Sequence, residues 1–256
     1  MNLTALPAFS DNYIWMLHQG GQAVVVDPGD AAPVLAALRA QGLQLAGILV
    51  THHHPDHTAG IAALRPVLQG QVFGPAREAI PAPFTPLHAG QQVQVLGHPF
   101  TVMDVPGHTA GHIAYVQADN AQAPLLFCGD TLFSAGCGRL FEGTPAQMHD
   151  SLQSLATLPD GTQVCCTHEY TLSNLRFAAA VEPENTDVAQ HLLHCQALRA
   201  EGRPTLPSEL RRERLINPFL RGHLPNVVAA AQAHGATDHG PVAVLAALRT
   251  WKNQFQ

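Results

Sequence analysis

The 256-residue sequence is short of charge: Asp, Glu, Lys and Arg make up only 12% of it, and Phe, Trp and Tyr only 6%. Acidic residues outnumber basic ones, 19 to 13, for a formal net charge of -6. A nucleic-acid binder usually carries a basic face, and this balance disfavours one. Although hydrophobic residues are 46% of the chain, no run reaches the ~18 apolar residues that a membrane-crossing helix needs. Cysteine is scarce: Cys128, Cys137, Cys165, Cys166 and Cys195 are odd in number and contain no Cys-x-x-Cys pair. That argues against a disulfide framework and a zinc ribbon, and leaves reduced, mostly buried thiols. The start, Met1 to Phe9, lacks the basic segment and apolar core of a secretory signal. The expectation is a soluble cytoplasmic protein with no nucleic-acid or membrane partner, and a monomer by default.

What the chain has in excess is histidine, 16 in all. Four of them fall in one heptapeptide, Thr51-His52-His53-His54-Pro55-Asp56-His57, directly after the apolar run Ala46 to Val50. Burying so many polar rings is costly unless each finds a hydrogen-bond partner or a metal. Neutral imidazole and carboxylate are ligands that zinc, iron and manganese accept. The alternative is a polar surface turn whose histidines point into water, and the heptapeptide alone does not decide between the two.

At this length the chain forms one large domain, or one domain with a small companion, around a substantial core. Strand-like segments are predicted at 3–6, 12–17 and 22–27, with Gly20-Gly21 as a hairpin turn. Asp30 is placed to cap a helix over 31–41. A buried strand at 46–50 then leads into the histidines. Pro55 drives His54 toward extended geometry and suits a first helical turn, so Asp56 and His57 should open a helix running through 61–64. His52 and His54 would share one side of the chain, with Asp56 and His57 on another.

Further strands are expected near 71–73, 92–96, 99–105, 112–117 and 124–128, with a turn at Gly97-His98-Pro99. His108 follows the third of these in a glycine-flanked loop, Asp130 follows the fifth, and His168 follows the run Gln163 to Thr167. Four strand ends thus deliver histidine or aspartate, as α/β folds commonly do at their sites. Beyond about 170 the pattern turns helical, at 171–181, 186–201, 226–233 and 242–253, around a Pro- and Arg-rich stretch at 202–221.

These residues, in this order, resemble the metallo-β-lactamase superfamily, whose His-x-His-x-Asp-His signature matches 52–57, and within it the glyoxalase II family. The resemblance implies an α+β fold, a four-layered αββα sandwich with a small C-terminal helical domain. Residues 1–168 would be the metal domain and 169–256 the substrate domain. It implies two divalent metal ions, zinc first, with iron or manganese compatible with the same ligands. One ion would lie on His52, His54 and His108, the other on Asp56, His57 and His168, with Asp130 bridging. His53 would be a spacer that supports the site or faces solvent. His112 would orient a ligand through a hydrogen bond, and Asp11, Asn12 and Tyr13 are candidates for support.

Two adjacent divalent ions lower the pKa of a shared water, and the positive charge left after Asp56 and Asp130 suits an oxyanion. The superfamily applies this core to several substrates, so the choice among them rests on the remainder of the chain. Gly136 to Thr144, Thr167 to Thr171, Asn217 to Arg221 and Arg249 to Phe255 resemble glyoxalase II. That resemblance places a glutathione thioester against Arg139, Tyr170, Arg249 and Lys252, with a metal-bridging hydroxide as nucleophile. Independently, Arg249 and Lys252 lie three apart on one helix face, where together they can meet a carboxylate. Phe141 departs from the family pattern, in which some members carry tyrosine, and so puts glutathione affinity in question. The rival readings are a one-iron persulfide dioxygenase, a lactonase, and a silent metal-binding module.

Overall fold

The structure, a computed structural model, describes residues 1–255. In β2 (Asn12–Gln19) and β3 (Gln22–Val26) the apolar residues are nearly continuous, the pattern of strands covered on both faces. Together with β1 (Asn2–Ala8), β4 (Gln44–Leu49), β5 (Leu68–Pro75) and β6 (Thr85–Leu87) they form a six-stranded sheet in the order β1-β2-β3-β4-β5-β6. The first three strands are antiparallel and the later pairs parallel. The crossover from β3 to β4 is α1 (Ala31–Gln41), whose first turn is capped as expected: the Asp30 carboxylate accepts the Ala32 N–H at 2.9 Å.

The helix expected from Asp56 to Leu64 is instead two short ones, α2 (Pro55–Thr58) and α3 (Ile61–Leu64). Between them the Gly60 N–H leaves the helical ladder and donates to Pro28 O at 3.0 Å, a tertiary contact that overrides local propensity. Alternation along the strands then assigns the layers. Ile14, Met16, Val25 and Ile48 pack with Val34 and Leu38 of α1 and with Ile61 and Leu64 of α3. Tyr13, Trp15, Leu17, Val24 and Val26 face the other way, into a second core.

The opposing sheet is built from β7 (Gln92–Val95), β8 (His98–Asp104), β9 (Ile113–Gln117) and β10 (Leu125–Gly129), after which a small ribbon, β11 (Leu132–Phe133) and β12 (Gly136–Cys137), precedes α4 (Pro145–Leu155). The turn into β8 is Leu96-Gly97, so His98 and Pro99 already pair with β7 rather than forming the turn. α4 has no counterpart in the sequence expectations, although Thr144-Pro145-Ala146-Gln147 is a capping box with proline in the first turn. β13 (Gln163–Cys166) joins β10 in parallel.

The tail supplies α5 (Thr171–Val181), α6 (Thr186–Ala200), β14 (Ser208–Glu209), α7 (Leu210–Ile216), α8 (Pro225–Ala233) and α9 (Pro241–Gln254). The four expected helices are present. Within the Pro- and Arg-rich stretch lie two further elements, of which β14 pairs with β13 and extends the second sheet to the order β14-β13-β10-β9-β8-β7. Met148 and Leu152 of α4 and Leu245 and Leu248 of α9 share one buried cluster with Phe100, Tyr115 and Phe127 of the second sheet. The layers are therefore helix, sheet, sheet, helix, the α+β sandwich that the family resemblance implies. All five cysteines are buried free thiols, and among the described residues no helix is long and apolar enough to cross a membrane.

Candidate metal centre

The ends of β4, β8, β10 and β13 lie along one edge of the two sheets, and the chain leaving each is held by its own hydrogen bonds. Asp27, just past β3 with a left-handed φ of 53°, accepts from Thr51 N at 2.7 Å and from Thr51 Oγ1 at 2.8 Å. This buried carboxylate fixes the start of the histidine heptapeptide. At the end of β10, Gly129 has φ 48°, and a Cβ there would lie 2.3 Å from Thr51 Oγ1 and 2.8 Å from His112 Nε2. Only glycine fits that turn, which delivers Asp130 to the rim. The Asp130 N–H then donates to His112 Nε2 at 3.2 Å, so His112 holds the main chain of Asp130.

All seven expected donors converge. His52 Nε2 and His108 Nε2 each lie 3.0 Å from His54 Nδ1. His57 Nε2 is 3.4 Å from both Asp56 Oδ2 and Asp130 Oδ1. His168 Nε2 is 3.5 Å from Asp56 Oδ2 and 3.3 Å from Asp130 Oδ2, and His108 Nε2 is 3.4 Å from that same Asp130 oxygen. Donors about 2.0–2.1 Å from a tetrahedral zinc stand roughly 3.3 Å apart, so these spacings fit shared cations. The burial agrees with that: His57 Nε2 and Asp130 Oδ1 are fully buried without a hydrogen-bond partner, a costly state that a metal would relieve.

Outer partners select the nitrogen that faces inward. His108 Nδ1–H donates to Arg139 O at 2.8 Å, and His168 Nδ1–H to Asp11 Oδ1 at 2.7 Å. His57 Nδ1 lies 3.1 Å from Asp27 Oδ2. Asn12 Nδ2 donates to Asp56 Oδ2 at 3.1 Å, and Tyr13 OH to Glu169 Oε2 at 2.9 Å, beside His168. His53 turns away from the donors, to 2.7 Å from Glu78 Oε2.

Burial and the surrounding imidazoles push His52 well below its ordinary pKa, and burial lowers His54 and His108. Their lone pairs are therefore free, as ligation requires. Burial alone would raise Asp130, but His57, His168 and His108 hold it well below the usual carboxylate range. Asp56 is likewise depressed, against its burial, by the hydrogen bond and charge of His57 and by Asn12.

The donors open onto a cleft of about 500 Å³ whose walls include Arg139, Tyr170, Arg249 and Lys252, together with His108 and Asp130. Tyr170 stacks on His168 at 4.7 Å between ring centroids, and burial beside Asp11, Asp130 and Asp56 pushes its phenol up to about 12. Lys252 Nζ donates to Ser173 Oγ at 2.9 Å, and burial with repulsion from Arg249, Arg139 and Arg176 pulls its ammonium down to about 8. Arg249 differs from the expected paired face. It is buried, donating from Nη1 to Cys137 O at 2.7 Å over the Phe219 ring, while Lys252 reaches the open side. Phe141, 63% exposed, sets its ring edge against His54 and His108.

Sequence reasoning missed Asp27, Glu78 and Glu142. Asp27 ends an apolar strand as Asp130 does, a signal that was available. Glu78 and Glu142 sit in loops with no pattern to mark them.

Residues 8–168 match the family model described as metallo-beta-lactamase superfamily, and residues 169–255 the model described as hydroxyacylglutathione hydrolase C-terminus. A protein of Albidiferax ferrireducens named hydroxyacylglutathione hydrolase is 62% identical over 255 residues, covering all of both chains. Among solved structures, ETHE1 from Myxococcus xanthus superposes with a TM-score of 0.66 at 25% identity, over the full length of both chains. TTHA1623 in a di-iron-bound form gives 0.54 at 32% identity, over 66% of this chain and 92% of that one. The family matches span both the metal-site region and the helical tail, and the chain belongs to the hydroxyacylglutathione hydrolase family of the metallo-β-lactamase superfamily.

Proposed function

We propose that this protein hydrolyses S-2-hydroxyacylglutathione thioesters, typified by S-D-lactoylglutathione, to glutathione and a 2-hydroxy acid. The observation that carries this is the junction of seven converging donors with a cleft walled by three cationic side chains, Arg139, Arg249 and Lys252. A metal-dependent hydrolase needs the first, and an anionic tripeptide suits the second. Full-length identity of 62% to a hydroxyacylglutathione hydrolase supports the pairing.

His52, His54 and His108 would hold one divalent ion, Asp56, His57 and His168 a second, with Asp130 between them. Zinc suits this nitrogen and oxygen set, and so do iron and manganese. Ions bound there supply Lewis acidity, polarising a carbonyl and acidifying water. The chain's own residues do the rest. Asp11 and Arg139 O hold His168 and His108 in the tautomers that present Nε2 inward. Lys252 and Arg139 draw the glutathione carboxylates into the cleft, and Tyr170, neutral below about 12, offers a phenolic donor. Water adds its oxygen to the acyl carbon, the C–S bond breaks, and sulfur leaves as thiolate, which needs little proton donation near neutral pH.

We take residues 1–168 as the unit that carries the donors and 169–256 as the unit that completes the substrate cleft. We take the functional unit to be a monomer. Five unpaired thiols support a reducing, cytoplasmic setting. Steady-state assay of the zinc-loaded protein with S-D-lactoylglutathione tests the proposal: thiol release is expected, and none above background refutes it. Oxygen uptake with a glutathione persulfide in its place would favour the oxidative rival.

A further inference from the structure

We infer that Glu78 clamps together the two loops that carry His52, His54 and His108, with His53 and Glu142 completing the clamp. The inference rests on the reading of those three histidines as ligands of one ion. His52 and His54 leave β4, whereas His108 leaves β8, more than fifty residues later, so something must hold the two loops in register. Glu78, whose side chain is 2% exposed, divides its two oxygens between them. Oε2 accepts from His53 N at 2.6 Å and lies 2.7 Å from His53 Nδ1. Oε1 accepts from Gly111 N at 3.0 Å and from Thr109 Oγ1.

Glu142 repeats the arrangement from the other side. Its Oε2 accepts from Ala110 N at 2.9 Å, and its Oε1 lies 3.3 Å from His53 Nε2. The segment that carries it is itself paired to the His108 loop, with Phe141 N donating to His108 O at 3.2 Å. The approach is close enough to demand glycine at 111, where a Cβ would lie 2.6 Å from Glu78 Cγ and 2.9 Å from Arg77 O. The histidine of the heptapeptide that faces no metal thus links two carboxylates, each bonded to the loop of the third ligand. Asp56, His57 and His168 have supports of their own outside the clamp, Asn12 for Asp56, Asp27 for His57, although Asp27 also anchors Thr51 beside His52, and Asp11 for His168. Loss of the clamp should therefore weaken one ion and spare the other.

The test titrates zinc into the chelator-stripped, full-length protein against a chromophoric chelator and resolves two binding constants. His54→Ala identifies the constant that belongs to the His52/His54/His108 set. Glu78→Gln, which satisfies only one of the two loops, is expected to weaken that constant by roughly 10- to 100-fold, as losses of outer partners do, and to change the other less than about threefold. Glu142→Gln, at a side chain 40% exposed and so safe for folding, should weaken the same constant by a smaller factor. A merely structural role would lower both constants together. Equal loss at both sites, or no loss in either glutamate variant, overturns the clamp; should Glu78→Gln fail to fold, an unchanged constant in Glu142→Gln does the same. If His54→Ala retains both constants, the ligand reading falls and the clamp falls with it.

Discussion

Replacing Lys252 with methionine keeps an apolar stem of similar length and removes one ammonium from the cleft. Nζ donates to Ser173 Oγ at 2.9 Å, approaches Ser173 O at 3.4 Å, and stands 5.7 Å from the Phe177 ring centroid. An ammonium carries three donors, so one is left for a substrate carboxylate. A hydrogen bond of this charged kind contributes about 1.5–3 kcal/mol. The contact lies away from the reacting carbonyl and is equally strong in ground and transition states. KM should therefore rise roughly 10- to 150-fold with kcat unchanged.

The depressed pKa supplies a second signature. Lys252 is charged below about 8 and neutral above it, and the charged form binds the anion. Wild-type KM should thus climb as pH rises through about 8, approaching that of the variant. The substrate's own groups titrate alike in both experiments, so the readout is the ratio of variant to wild-type KM, taken from thiol-release kinetics between about pH 6.5 and 9.5. A ratio within twofold at the acid end, or one that fails to shrink toward the alkaline end, would refute the assignment of Lys252 to substrate binding.

Phe141→Tyr adds a hydroxyl at the exposed rim of the cleft and should lower KM for a glutathione thioester by roughly 2- to 10-fold, the worth of one hydrogen bond of about 0.5–1.5 kcal/mol; steady-state kinetics decide it. Asp27→Ala strips both partners from the buried Thr51 N–H and hydroxyl, and the urea midpoint of the metal-free protein should show a loss of at least about 2 kcal/mol. Leu248→Ala opens a cavity where α9 packs into the main core, with an expected cost of about 3 kcal/mol in the same measurement. Chelation should abolish activity and zinc restore it, and zinc at a hundredfold its Kd should stabilise the stripped protein by about 2.7 kcal/mol per site. A melting temperature that does not respond to zinc would contradict the metal centre.

Much of the site was legible because its chemistry is local in sequence. Strand, turn and proline-led helix follow from patterns a few residues long, and the same patterns place His108, Asp130 and His168 at strand ends. Asp27 was legible by that rule and overlooked. Glu78 and Glu142 were not legible, for their partners are 25 to 89 residues away in chain positions that no periodicity relates.

The same division runs through the fold. Residue type and alternation, read from the chain alone, determined mixed strands and helices, the capped α1, the four tail helices and a histidine or aspartate at each of four strand ends, while the sandwich of two sheets and the candidate donor set were implied by the family resemblance. Tertiary structure alone decided that Gly60 breaks the helix after His57, that β14 extends the second sheet, and that Arg249 lines the cleft from a buried position while Lys252 lines it from a more exposed one. Helical spacing places both basic side chains on one face, but their depth depends on what packs against that face. For Arg249 this is Cys137 O and the Phe219 ring, brought there by the chain's path and not by any local preference. Convergence has the same origin: local geometry can put a donor at the end of a strand, whereas the packing of the two sheets brings four such ends to within a metal's reach.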